Sequence, residues 1–345
     1  MKLLTEYLKK LGKSALMGIF ASAVITLLWF ALFGQKSVKI LALAIFSAAV
    51  ILFVLKLVYD FVIEKMGVTK KFLADELFVL FALVAFFSTT ICAFAPVLLF
   101  TPVHNQRAER SLNAYAQSGI VEEIRFDTDS GTLGGWMLRN GQGSAPTVLY
   151  FGKNSEDAAG RILELLGNDR EHLTFSGYHF VCIDYPEYGN STGAASEKSL
   201  KRMGLDAYDY LINRSDVSNI ILMGYGIGSG VANYVASERQ PVGLILLTPY
   251  ADGYDLYNSY ANVFHGPLRG LVSFKMRAVK FAEKVNVKPL LLVSNVDKVV
   301  SYESGVKLVE KYKNGCNFVT MDGIGHDDFW ESQEVLDEIE KYLAR

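Results

Sequence analysis

Cysteine is scarce, with three in 345 residues, which excludes a disulfide scaffold. Charge is scarce as well. Only 20% of the residues are Asp, Glu, Lys or Arg, against about 25% in an average soluble chain. The net charge of −2 provides no basic field, so no nucleic-acid partner is expected. No internal repeat or low-complexity tract is present, and no metal or cofactor is expected. What the chain has in abundance is apolar surface. Hydrophobic residues make up 51% and the mean hydropathy is +0.22, so it is not a globally disordered chain.

These averages combine two dissimilar parts. Residues 1–110 carry 12 Lys/Arg against 6 Asp/Glu, and residues 111–345 carry 22 against 30. The first part contains three long apolar runs, at about 14–34, 40–63 and 77–100. A helix of about 20 apolar residues crosses a hydrocarbon core of about 30 Å, so three transmembrane helices are expected within 1–105. Lys56 and Asp60 interrupt the second run one turn apart, where they can pair. The first run exceeds the apolar core of about 7–15 residues typical of a cleaved signal peptide, and two more runs follow it. The flanking cations set the orientation. Lys2, Lys9, Lys10, Lys13, Lys65, Lys70 and Lys71 lie on one side; Lys36, Lys39, Arg107 and Arg110 lie on the other. The expected protein is multi-pass and integral to a lipid bilayer, with everything after about residue 105 extracytoplasmic.

After a polar connector, taken as 106–119, short β-rich segments alternate with helical ones through 120–345. Strands are expected at Glu122–Thr128, Thr132–Arg139, Thr147–Phe151, His179–Asp184, Asn219–Gly224, Val242–Thr248, Pro289–Ser294 and Asn317–Met321. Helices are expected near Asp157–Leu166, Glu197–Asn213, Gly230–Arg239, Tyr302–Tyr312 and Phe329–Ala344. Apolar runs without alternation, such as Val242–Thr248, mark strands covered on both faces. The pattern is that of an α/β, doubly wound, mostly parallel eight-stranded sheet with an antiparallel start.

Three segments carry the chemistry. Residues 150–157 read Y-F-G-K-N-S-E-D, 184–193 read D-Y-P-E-Y-G-N-S-T-G, and 224–228 read G-Y-G-I-G. Their order and spacing resemble the α/β-hydrolase superfamily, in its membrane-anchored, serine-aminopeptidase-like branch. That branch reads roughly Y-F-G-G-N-x-E-D, then D-Y-R-G-Y-G-x-S-x-G, then G-x-S-x-G. In such proteins a serine sits on a sharp strand-to-helix turn, with small residues on both sides. Gly224 and Gly228 match the flanks, but the nucleophile position is Gly226. The later members of the triad match at Asp297, after the apolar strand, and at His326 in the late loop. The resemblance implies His326 as base, Asp297 as its orienter, and oxyanion N–H groups from Ile227 and the Lys153–Asn154 loop. Lys153 stands where the branch usually has Gly, and Pro186-Glu187 replaces Arg-Gly.

Other readings of the glycines fare worse. A G-x-G-x-x-G/A dinucleotide fingerprint starting at Gly224, Gly226 or Gly228 ends on Ser229, Val231 or Asn233. Ser229 lies about one helical turn beyond the elbow tip and reads as a first-turn capping serine. The Tyr-rich stretch Tyr250–Lys284 is expected either to cap the pocket or simply to pack. The implied protein is a membrane-anchored member of the hydrolase family, ancestrally an esterase- or peptidase-like serine hydrolase and inactive through Gly226. The alternative is a non-catalytic binding or interaction protein for an acyl, lipid or peptide ligand.

The cation asymmetry makes one prediction. A reporter that works only in the cytoplasm, fused after Arg345, is expected to be silent. Activity there would place the domain on the opposite side.

Overall fold

The apolar segments of the second half assemble into one sheet. In the computed structural model, which describes residues 99–129, 131–260 and 265–344, the strands are β1 (Val121–Thr128), β2 (Gly131–Leu138), β3 (Ala145–Phe151), β4 (His179–Ile183), β5 (Val217–Tyr225), β6 (Gly243–Leu247), β7 (Leu290–Ser294) and β8 (Asn317–Met321). Their order is β1-β2-β4-β3-β5-β6-β7-β8. β1 pairs antiparallel with β2, and β2 with β4; every later pairing is parallel. The eight expected strands all form, shifted at their ends by at most two residues. β6 and β7 are buried at every position, which explains their lack of alternation.

Nine α-helices occur among the described residues: α1 (Gln106–Ala116), α2 (Ala158–Gly167), α3 (Asp169–Thr174), α4 (Glu197–Ile212), α5 (Ile227–Glu238), α6 (Gly253–Tyr260), α7 (Ala278–Ala282), α8 (Tyr302–Val309) and α9 (Gln333–Leu343). α1 packs on α2, and α3 on α9, while α5 packs between α4 and α7. Ala108, Leu112, Ile162, Leu165, Val335 and Ile339 share a core with Val148, Tyr150, Met223, Ile245 and Leu290 of the sheet. Local signals set the ends. Asp157, Ser196, Ser301 and Ser332 cap helices by accepting the N–H of Gly160, Ser199, Ser304 and Val335.

Several boundaries differ from the sequence expectation. Segment 106–119 is no connector: it contains α1, and the compact unit that holds the sheet runs from Pro96 to Arg345. Its polar composition (Arg107, Glu109, Arg110) masks a narrow apolar stripe, Ala108 and Leu112, that is fully buried. Leu99 and Phe100, placed at the end of the third apolar run, are buried in this same unit, where Phe100 meets the edge of Phe274 at 5.6 Å. α5 begins at Ile227 rather than Gly230. The expected helix Phe329–Ala344 divides into a 3₁₀ turn, Phe329–Glu331, and α9, with Ser332 capping the second part. The three expected membrane spans lie outside the described residues, save for the last two positions of the third. Among the described residues no helix is long and apolar enough to cross a membrane.

If α1 is part of the core, truncating Leu112 should cost what a core leucine costs. Leu112→Ala is expected to destabilise the domain by about 2–5 kcal/mol in thermal or denaturant unfolding. A change within about 0.5 kcal/mol, as for a surface site, would restore the connector reading.

Candidate active site

The elbow is built by close approach of backbone to backbone. β5 ends at Tyr225, Gly226 turns with φ +53° and ψ −117°, and α5 starts at once. Side chains avoid that region of backbone space, and glycine enters it freely. A Cβ on Gly228 would stand 2.0 Å from the Phe151 carbonyl oxygen, and one on Gly224 would stand 2.4 Å from the Gly228 carbonyl oxygen. No side chain fits at either place. The four glycines between 224 and 230 are poor helix formers, which is why the sequence hides the start of α5.

His326 faces this turn. Its Nε2 lies 3.2 Å from the point where a Cβ on residue 226 would stand. Its Nδ1 is 2.7 Å from Asp297 Oδ2, and the Asp297 carboxylate is 1% exposed. Asp297 Oδ1 accepts the N–H groups of Val299 and Val300 at 2.7 and 2.8 Å, so the carboxylate is held on both oxygens. Tyr225, at the tip of β5, donates its hydroxyl to the His326 carbonyl and fixes the late loop against the elbow. Gly226, Ile227, Lys153, Asn154 and His326 line one cavity, joined by Leu99, Leu256 and Val299. The positions singled out in the sequence therefore converge, with Asp297 directly behind His326.

Ser229 takes no part. It is buried, and its hydroxyl donates to the Gly226 carbonyl at 2.7 Å, as a first-turn serine does. Lys153 does reach the site. Its Nζ pairs with Asp327 at 2.7 Å and lies 5.6 Å from the centre of the Tyr225 ring. The pairing holds the Asp327 carboxyl below its usual range. Among the described residues of the Tyr-rich stretch, Tyr250, Tyr257 and Phe274 are buried packing residues, and Leu256 lines the cavity. Sequence reasoning missed Leu99, Tyr225, Thr248 and Asp327. Thr248 carried the one available signal, a hydroxyl closing the apolar strand Val242–Leu247.

The other two motifs hold the loops in place. The Tyr185 hydroxyl donates to the Gly152 carbonyl at 2.6 Å, and the Tyr188 hydroxyl to the Asn154 carbonyl at 2.8 Å. The second motif thus clamps the first from below. Glu156 accepts the Tyr150 hydroxyl at 2.8 Å, and Asp157 caps α2 and accepts the N–H of Asn105. Asp184 accepts the N–H of Ala158 at 2.7 Å and that of Asn190 at 3.3 Å. Glu187, which replaces a glycine of the resembling motif, has φ +77°. That is the left-handed region glycine favours. Among the described residues no His, Cys, Asp and Glu cluster could hold a metal ion.

Comparison with known proteins agrees with the fold. No family model matches the chain. An uncharacterized protein of Mycobacterium tuberculosis is 26% identical over 64% of this chain and 79% of its own length. The lysophosphatidylserine lipase ABHD12 of Gallus gallus is 29% identical over 48% of this chain and 47% of its own length. Among solved structures, an α/β hydrolase from Vibrio vulnificus superposes with a TM-score of 0.55 at 19% identity, covering 76% of this chain and 91% of that one. The chain has the α/β-hydrolase fold, and the curated proteins it resembles include one named as a lipase.

Asp184 yields a pH prediction. Its carboxyl is buried, and desolvation pushes it up to about 7 despite the two backbone N–H donors. An unfolded Asp titrates near about 3.9, so between about pH 4 and 7 the folded state binds more protons than the unfolded one. The contribution of Asp184 to stability therefore falls as pH rises through that window and levels off above it. The stability of Asp184→Asn relative to the parent is expected to rise from pH 4 to 7 in denaturant titrations. A pH-independent difference would refute the assignment.

Proposed function

We propose that this protein is a membrane-anchored member of the α/β-hydrolase superfamily, of the serine-aminopeptidase-like branch, that has lost the serine step. His326 is the base, Asp297 holds its orientation and tautomer, and the backbone N–H groups of Ile227 and of the Lys153–Asn154 loop are the oxyanion donors. The observation that carries the reading is the placement of His326 Nε2, 3.2 Å from the Cβ position of residue 226, where the chain offers no hydroxyl. A serine there would stand within reach of the base. Without it no acyl-enzyme forms by the serine route. Removing the serine from a triad lowers kcat by on the order of 10⁶, while the oxyanion hole and binding retain roughly 10³–10⁴ over water.

The membrane anchor rests on the three apolar runs before residue 105, and an extracytoplasmic domain on the flanking cations. The likeness to a lysophosphatidylserine lipase favours an acyl or lipid ligand over a peptide. A second reading, a binding protein without turnover, is favoured by one feature. Lys153 and its partner Asp327 occupy the ground beside His326, where the branch usually has a glycine.

A fluorophosphonate probe distinguishes these. The protein is expected to remain unlabelled, and Gly226→Ser is expected to gain labelling that His326→Ala abolishes. Labelling of the unmodified protein would overturn the proposal. An unlabelled, folded Gly226→Ser would favour the binding reading.

A further inference from the structure

Thr248 follows β6 and continues the sheet, its N–H donating to the Leu292 carbonyl at 2.9 Å. Beside it, the Gly226 N–H donates to the Leu247 carbonyl at 3.0 Å, so residues 226 and 248 are fixed against one another by backbone. Thr248 has φ +45°, a conformation that is a genuine outlier for a β-branched residue and persists only where the surroundings impose it. Its side chain is 1% exposed, and its hydroxyl has no hydrogen-bond partner among the described residues. A buried hydroxyl without a partner is costly to keep.

That hydroxyl points to the elbow. Oγ1 lies 3.9 Å from the point where a Cβ on residue 226 would stand, the same point that lies 3.2 Å from His326 Nε2. The cavity lined by Gly226 and His326 has a volume of about 20 Å³, and a water needs roughly 10–15 Å³ of such space and two or more polar partners. An orphaned donor and an oriented base thus lie on either hand of one point, the Cβ position of residue 226, and the base and Gly226 also line the cavity with space for one water, from which the Thr248 hydroxyl is set back.

We propose that Thr248 Oγ1 and His326 Nε2 hold a water where the family's serine oxygen stands, and that this water is the nucleophile of a one-step ester hydrolysis. The inference rests on the reading of His326 and Asp297 as base and orienter. Thr248 donates its O–H to the water oxygen, and the water donates one hydrogen to Nε2, which leaves a lone pair for the substrate. The water oxygen bonds to the ester carbonyl carbon as its proton passes to Nε2. The carbonyl electron pair moves onto the oxygen beside Ile227 and the Lys153–Asn154 loop. On collapse the bond to the alkoxy oxygen breaks, and His326 returns the proton to the departing alkoxide. One ester and one water give one acid and one alcohol, and no bond to the protein forms. The substrate class is an activated acyl ester, since a water without a covalent relay has only this base to raise its nucleophilicity.

The full-length protein in detergent micelles, given p-nitrophenyl butyrate, tests this. Expected is slow turnover above the protein-free blank, with no burst and no acyl adduct by intact-mass spectrometry during turnover. His326→Ala should lower the rate to the blank. Thr248→Val, which keeps the shape and removes the hydroxyl, should lower it about tenfold, and Thr248→Ser should retain most of it. A parent rate equal to the blank with no adduct overturns this inference alone and leaves the loss of the serine step standing. So does a rate that Thr248→Val leaves unchanged. A burst, or an acyl adduct on Thr248 or any other residue, overturns both. Should Thr248→Val fail to fold, the comparison of the parent with His326→Ala and Thr248→Ser still decides: a rate that survives His326→Ala, or collapses in Thr248→Ser, refutes the role assigned.

Discussion

The start of α5 lies against the end of β3 with no side chain between them. Gly228 and the carbonyl of Phe151 touch, as do Gly224 and the carbonyl of Gly228. This backbone contact determines where the helix can begin, and hence where its first N–H groups lie. It also sets the loop after β3 beside Ile227, because that loop continues from the strand the helix touches. Tyr185 and Tyr188 then hold the loop by its carbonyls. Any side chain larger than hydrogen at residue 228 would push α5 off the sheet and separate the two halves of the site.

Electrostatics finishes what packing begins. Asp297 is buried and doubly satisfied by backbone N–H groups before it meets His326. A carboxylate held in that way fixes the imidazole through Nδ1, and Nε2 faces the elbow. Farther under the sheet, Arg161 is buried between Glu171 and the Trp330 ring, 4.5 Å away. Its charge is compensated where water is excluded, and removing either partner would leave the other stranded. The network ties α2 to α3 and the last turn before α9, and so supports the loop that carries His326 from behind.

Much of this was legible in advance because the same residues carry both the fold and the motifs. Unbroken apolar runs announced the parallel strands, the order of three motifs located the strand-to-helix turn at Gly226, and two later segments pointed to Asp297 and His326, which the fold brings up to it. What escaped detection was whatever depends on contacts distant in sequence. α1 hides behind a polar composition with only Ala108 and Leu112 turned inward. The start of α5 hides behind glycines that local propensity reads as loop, although tertiary contact requires them. Thr248 and Tyr225 are ordinary residues of strand ends, and only the juxtaposition of β5, β6 and the 326 loop gives their hydroxyls a place near the site. Leu99 looked like the end of an apolar run, yet it lines the cavity that holds His326.

Gly226 also has a consequence for how freely this sequence can change. An elbow with a side chain in this backbone conformation stores on the order of 1–3 kcal/mol of strain in the native state. Glycine takes φ +53° without that burden, and its greater freedom in the unfolded chain returns only about 0.4–1 kcal/mol of the gain. The remainder, on the order of 1 kcal/mol at mid-range, is a several-fold margin in the ratio of folded to unfolded chains. Substitutions that a serine-bearing scaffold would have to reject become tolerable within it. Glu187, held at φ +77° in the region glycine favours, carries strain of the size that such a margin absorbs.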